Sequence, residues 1–185
     1  MKHLVLAFGV ILAVSGPLAA ASCPEAPDHT SALDALIVKA QGAPDERAGR
    51  VISNEMWQYW ADAPDAYAQG LLDEGMTRRA AYDFEGAIKA FDALVAYCPE
   101  YAEGYNQRAF VNFIRQDYGA ALPDLDRAIE LSPRHIAALS GQALTLMALE
   151  RPGEAVLALR AALALNPWLP ERHLLRALEA AEKEL

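Results

Sequence analysis

Apolar positions along the chain recur at helical spacing and do not alternate, so the pattern predicts helices, and strand signals are almost absent. Residues 4–14 form an uninterrupted apolar run that ends at Gly16 and Pro17. Farther on, Leu33, Leu36 and Ile37 fall on one face of a predicted helix, which Ser31 could cap and which Gly42, Ala43 and Pro44 would stop. A second helix is predicted over about 45–61, carrying Ile52, Met56, Trp57 and Trp60. Alanine interleaved with Leu, Glu and Arg continues the helical signal to the C-terminus, because alanine loses no side-chain entropy in a helix.

From residue 68 the pattern repeats with a period of 34. Pro99, Pro133 and Pro167 share that spacing, as do Ala87, Ala121 and Ala155. So do Gly75, Ala109 and Ala143, and with them the large residues Phe91, Leu125 and Leu159. Small residues let two antiparallel helices approach closely, large ones fill the space between, and a proline ends each second helix because it lacks the donor to continue it. Between the helices, Tyr82-Asp83-Phe84-Glu85 matches Gln116-Asp117-Tyr118-Gly119, and the third unit departs with Glu150-Arg151-Pro152-Gly153. Leu94 stands where Ala128 and Ala162 are small, which predicts slightly wider packing in the first unit.

This pattern resembles the tetratricopeptide repeat, and the stretch as a whole is similar to bacterial exported repeat proteins with a Trp-rich leading helix. The resemblance implies an all-α fold, a right-handed superhelical array of antiparallel helix pairs (an α-solenoid) with a C-terminal capping helix. Three repeats are expected at 68–101, 102–135 and 136–169, and a cap at 170–185 in which Leu174, Leu175 and Leu178 cover the apolar face of the last repeat. Residues 22–67 are expected to form a helical pair at the N-terminal end, as a degenerate repeat or a cap. Trp60 there occupies a position that wants a small residue, and Pro64 falls one place early. In the family the first helix of each pair lines a concave groove that holds a partner's peptide or helix. By position the groove would be lined by Gln69, Leu72, Met76 and Arg79, then Glu103, Asn106, Phe110 and Phe113, then Ala137, Ser140, Leu144 and Met147. Some members clamp a C-terminal carboxylate with Lys, Arg and Asn at five groove positions. Those positions hold Leu72, Met76, Gln107, Ala137 and Gly141 here, so that clamp is absent. An apolar groove centre suits an amphipathic helix or an extended apolar segment, unless the chain's own N-terminal helices cover it.

Composition fits a folded chain, with 54% hydrophobic and 22% charged residues. Lys2 and His3 ahead of the apolar run, and Ala19-Ala20-Ala21 behind it, read as a signal peptide over 1–21, too short to span a bilayer comfortably. Its removal would take the net charge from −9 to −10 by loss of Lys2 alone, which disfavours nucleic acid and anionic membrane surfaces as partners. An exported chain with two cysteines, Cys23 and Cys98, favours a disulfide. Lipidation of Cys23 is the rival, weakened by Ala20 where a lipobox carries Leu, and two free thiols are the third reading. His3, His29, His135 and His173 lack metal-ligand spacing, so no metal or cofactor is expected, and His135 reads as a solvated residue at a helix start. Asp73/Glu74, Asp124/Asp126 and Glu182/Glu184 read as solvated helix faces, and no phosphate loop or nucleophile motif can be found. The expected function is therefore a non-enzymatic scaffold or adaptor, periplasmic or secreted, that binds a protein partner and keeps no integral membrane segment. The alternative is a chaperone-like or structural envelope protein that binds exposed apolar segments without one fixed partner.

Overall fold

The computed structural model describes residues 22–183, and the expected signal segment 1–21 lies outside them. The elements are α1 (Thr30–Gln41), α2 (Glu46–Trp60), α3 (Ala66–Ala80), α4 (Phe84–Tyr97), α5 (Ala102–Ile114), α6 (Tyr118–Leu131), α7 (Ile136–Ala148), α8 (Pro152–Leu165) and α9 (Leu175–Lys183). A 3-10 turn at Pro170–Leu174 precedes α9, and there is no strand among the described residues.

Short polar side chains start four of these helices. Asp45, Asp65, Asp83 and Asp117 each accept the backbone N–H three residues on, which satisfies a donor that the helix itself leaves free. Helix α1 differs from the expectation: Ser31 lies inside it, His29 precedes it, and the Thr30 N–H donates to Asp28 Oδ1 at 2.9 Å. The second helices end at Tyr97, Leu131 and Leu165, two residues ahead of the periodic prolines. Cys98, Ser132 and Asn166 take ψ of 74°, 85° and 103°, outside the α region that a following proline disfavours.

The turn inside each pair is the same in all three repeats. Tyr82, Gln116 and Glu150 adopt φ of 62°, 62° and 56°, a left-handed conformation at the close of α3, α5 and α7. The next N–H then reaches back to a carbonyl one turn away: Asp83 to Arg78, Asp117 to Asn112 and Arg151 to Leu146, at 2.9, 2.9 and 3.0 Å. The departing residues of the third repeat thus make an unchanged turn, with Pro152 at the first position of α8 where its missing donor does no harm.

Helices α3 and α4, α5 and α6, and α7 and α8 pack as antiparallel pairs, successive pairs stack, and α3, α5 and α7 touch in sequence along the inner face. A Cβ on Gly75 would collide with the Phe91 ring, whereas Ala109 and Ala143 carry one because their partners are Leu125 and Leu159. Leu94 is met in a similar way, by Gly104, where a Cβ would stand 3.2 Å from Leu94 and Val95. At the far end, Leu178 is buried and Leu174 and Leu175 half-buried against α8, covering the last repeat.

Helices α1 and α2 pack as a hairpin, which does not sit ahead of α3 as a leading repeat. Helix α1 packs on α8, and Leu36, Ile37, Met56 and Trp60 share a core with Ile136, Leu139, Ala162 and Leu169. Polar contacts fasten the hairpin to the third repeat and beyond: Arg134 pairs Asp34, Gln41 donates to the Ala164 carbonyl at 2.8 Å, Trp168 Nε1 donates to the Ala43 carbonyl at 3.0 Å, and Asn166 donates to Ser53 Oγ at 2.8 Å. Arg172 pairs Glu46 at 2.7 Å. Gly49 is what admits Trp168, since a Cβ there would lie 2.5 Å from the Trp168 Cβ. The hairpin therefore spans the concave side from the first repeat to the third. An indole at position 60 cannot enter the close helix contact of a repeat, and it finds its burial across the array instead. Cys23 and Cys98 stand at bonding distance, with Cα atoms 5.1 Å apart, so the arm ahead of α1 meets the end of α4.

Candidate binding pocket on the concave face

Beneath the hairpin lies a buried polar cluster. His135 and Glu103, 0% and 1% exposed, meet at 2.7 Å through His135 Nε2 and Glu103 Oε2. His135 Nδ1 accepts the Ala138 N–H at 3.3 Å, which assigns the ring proton to Nε2 and makes that nitrogen the donor to the carboxylate. Asn106 and Gln107 also donate to Glu103, so both carboxylate oxygens are engaged. The indole of Trp60 covers the imidazole at 4.4 Å between centroids, and Tyr101 donates to the Trp60 carbonyl at 2.7 Å. Burial pushes the Tyr101 phenol well above its ordinary range, with Glu103 adding to the shift. His135 is thus a core residue that ties α5, α7 and α2 together, not the solvated helix start expected from the sequence, and Glu103 belongs to the same core. Asp124, expected on a solvated face, is buried as well, holding Arg108 at 2.6 Å; Asp124 and Asp92 together raise that guanidinium further.

Beside this cluster is an apolar pocket of about 480 Å³. One wall is α2, through Arg50, Ser53 and Trp57; the others are α5, α7 and the segment from Trp168 to Glu171. Arg79, Asn106, Phe110, Phe113, Ser140 and Leu144, all expected in the groove, line it together with Ala137. Phe110 and Trp57 stay 47% and 38% exposed at its rim. Arg79 lies over the Phe110 ring, 4.7 Å from the centroid, and donates to Gln107. Burial holds the Arg79 guanidinium below its ordinary range, against the opposing pull of Glu103.

The other expected groove residues lie elsewhere. Leu72 is buried in the core between α3 and α4, and Met76 is half-buried against it. Gln69 is engaged at the turn before α3, accepting the Ala63 N–H and donating to Asp73. Met147 packs into the core of the third repeat. Leu72, Met76 and Met147 are turned into the cores of their own repeats, and Gln69 is tied to the chain ahead of α3. Trp57 and Trp168 were not expected at the site. Trp57 falls in frame with Phe91 of the first repeat and Trp168 directly follows the last periodic proline, so neither position singled itself out.

No protein-family model matches the chain. A tetratricopeptide-repeat-containing protein of Rhizobium etli is 32% identical over 120 residues, covering 62% of this chain and 56% of the relative. A tetratricopeptide repeat protein 36 homolog of Nematostella vectensis is 42% identical over 65 residues, 35% of this chain and 36% of the relative. The chain thus spans about a third to somewhat over half of the length of these curated relatives. Among solved structures, the first tetratricopeptide-repeat domain of Spaghetti (RPAP3) bound to an HSP90 peptide superposes with a TM-score of 0.61 at 22% identity, covering 63% of this chain and 94% of that one. A MamA variant superposes with a TM-score of 0.59 at 15% identity, covering 86% and 88%. The 34-residue columns, the thrice-repeated turn and these likenesses agree on a tetratricopeptide-repeat fold, and the curated relatives carry that repeat's name.

Proposed function

We propose that this chain is a non-catalytic interaction scaffold of the bacterial envelope that holds an extended segment of a partner protein on its concave face. The observation that carries the reading is the apolar pocket rimmed by the exposed aromatic residues Phe110 and Trp57, since aromatic groups typically dominate interface energy. Similar repeat domains of RPAP3 and of yeast Sti1 bound to HSP90 and Hsp70 peptides support it. The partner segment is extended because α2 already fills the space that a partner helix would take. The export setting rests on the signal-like residues 1–21, and the proposed Cys23–Cys98 bond fits an oxidising compartment.

The test is a crosslinking pull-down from envelope extract with the exported protein. One stoichiometric band that disappears in Phe110→Glu and Phe113→Glu, with helical content unchanged, is the expected result. Binding that survives both substitutions removes the concave face from consideration, and a smear of unfolded clients supports the chaperone-like alternative. Recovery of the protein by osmotic shock, with a mature N-terminus at Ser22, tests the compartment.

A further inference from the structure

We infer that the pocket under α2 is also a small-ligand site, and that it takes an apolar molecule with an anionic head, of the class of a medium-chain alkyl carboxylate. The inference goes beyond the partner reading, because it concerns a small molecule inside the pocket and not a protein segment laid across it.

The space sets the size. A pocket of about 480 Å³ lies within the range of small-molecule sites, roughly 300–1,000 Å³. A helix is about 10 Å across with its side chains, and α2 already forms one wall, so a second helix has no room. The Glu46–Arg172 pair and the seating of Trp168 on Gly49 fasten the wall next to the third repeat. Phe110, Phe113, Leu144 and Trp168 supply an apolar lining that favours a hydrocarbon or aromatic body.

The charge sets the head group. The chain carries a net charge of −9, yet two arginines line this pocket without a carboxylate within 4.0 Å among the described residues: Arg50 and Arg79. The neighbouring acids are largely committed. Glu103 gives both oxygens to His135, Asn106 and Gln107, and Glu46 is held by Arg172, which leaves Glu171 beside Trp168 as the remaining acid of the lining. Arg79 is half-buried, its one recorded bond goes to the neutral amide of Gln107, and its guanidinium is pinned over Phe110. A cation withdrawn from water gains most from a pairing anion, and the planar guanidinium matches a carboxylate with two parallel N–H donors. An amine head would meet Arg79 with repulsion, and an uncharged head would leave the guanidinium as it is.

The probes are decanoate, decylamine and 1-decanol, each titrated below its aggregation limit into the mature chain. Tryptophan fluorescence reads the pocket, because Trp57 and Trp168 line it. Decanoate is expected to bind saturably and at least tenfold more tightly than either of the others. Arg79→Gln should bring decanoate down to the level of decanol while helical content and Tm stay as they were. Equal binding of the three probes, no saturable binding of decanoate, or a folded Arg79→Gln protein that still prefers decanoate overturns the inference. If Arg79→Gln fails to fold, the comparison of head groups on the unmodified protein decides alone. None of these outcomes changes what the pull-down reports about a protein partner.

Discussion

The indole of Trp60 lies almost parallel to the imidazole of His135, with centroids 4.4 Å apart and an interplanar angle of 15°. The two residues come from the leading hairpin and from the start of the third repeat, so this one stack joins the hairpin to the array. Trp60→Ala should cost about 3–5 kcal/mol, the usual range for emptying a buried aromatic site. Trp60→Phe should cost less than half as much, because it keeps a ring on His135 and removes Nε1, a buried donor with no partner among the described residues. Thermal unfolding followed by circular dichroism gives both values. A Phe variant as unstable as the Ala variant would show that the stack itself contributes little.

Glu103 and His135 make a second, separable claim. Both are buried and each satisfies the other, so removing one leaves an uncompensated polar group in the core. His135→Leu and Glu103→Leu should each destabilise by about 3–5 kcal/mol, the range for breaking a buried pair. The double variant should lose clearly less than the two losses added together. Strict additivity in denaturant titrations would mean that the pair is not coupled.

The repeats were legible in the sequence because each column answers a local need. Pro99 stops a helix wherever the chain goes next, and Gly75 is small because Phe91 lies across from it in the same unit. The placement of the leading hairpin has no such local cause. The Trp168 bond to the Ala43 carbonyl joins residues 125 apart, and the Arg134–Asp34 pair joins residues 100 apart, so no period links their positions. His135 shows the same limit at the site. The residues just before it, Pro133 and Arg134, are exposed, and Trp60 and Glu103 arrive from other elements to cover it. What could be seen beforehand was the misfit of Trp60 to the frame, a sign that the segment was not a repeat without a sign of where it went.

Size compensation across the inner contact of each repeat gives a third prediction. Gly75→Ala should destabilise the first repeat by about 1–3 kcal/mol through overpacking against Phe91, despite the better helix propensity of alanine. Adding Phe91→Leu recreates the pairing seen at Ala109 with Leu125 and should recover most of the loss. Denaturant midpoints of the two single variants and the double variant decide it; a double variant weaker than both singles would show that Phe91 fills space which leucine cannot.

The last prediction concerns the arm ahead of α1. Cys98 is buried in the core of the first repeat, and Cys23 reaches it from a segment that is also tied by Ala26 on the same core, by the His29 ring against Tyr59 and by the pair of His29 with Asp62 at 2.7 Å. A bond between residues 75 apart in sequence would remove much of the freedom of the unfolded chain, worth on the order of 4 kcal/mol in the chain-entropy account. The same bond would hold the start of the hairpin on the first repeat while its far end stays fixed to the third. Protein isolated from the envelope without reductant should therefore have an intact mass two hydrogens light and yield a linked Cys23–Cys98 peptide. Reduction should lower Tm and expose residues 22–29 to protease before any of the repeats is cut, because Cys98 as a free thiol still fits its apolar site. A diacylglyceryl mass on Cys23 would contradict the bond outright and make the protein membrane-anchored. Reduction that changed neither Tm nor the order of cleavage would show that α1 and α2 hold the arm without it.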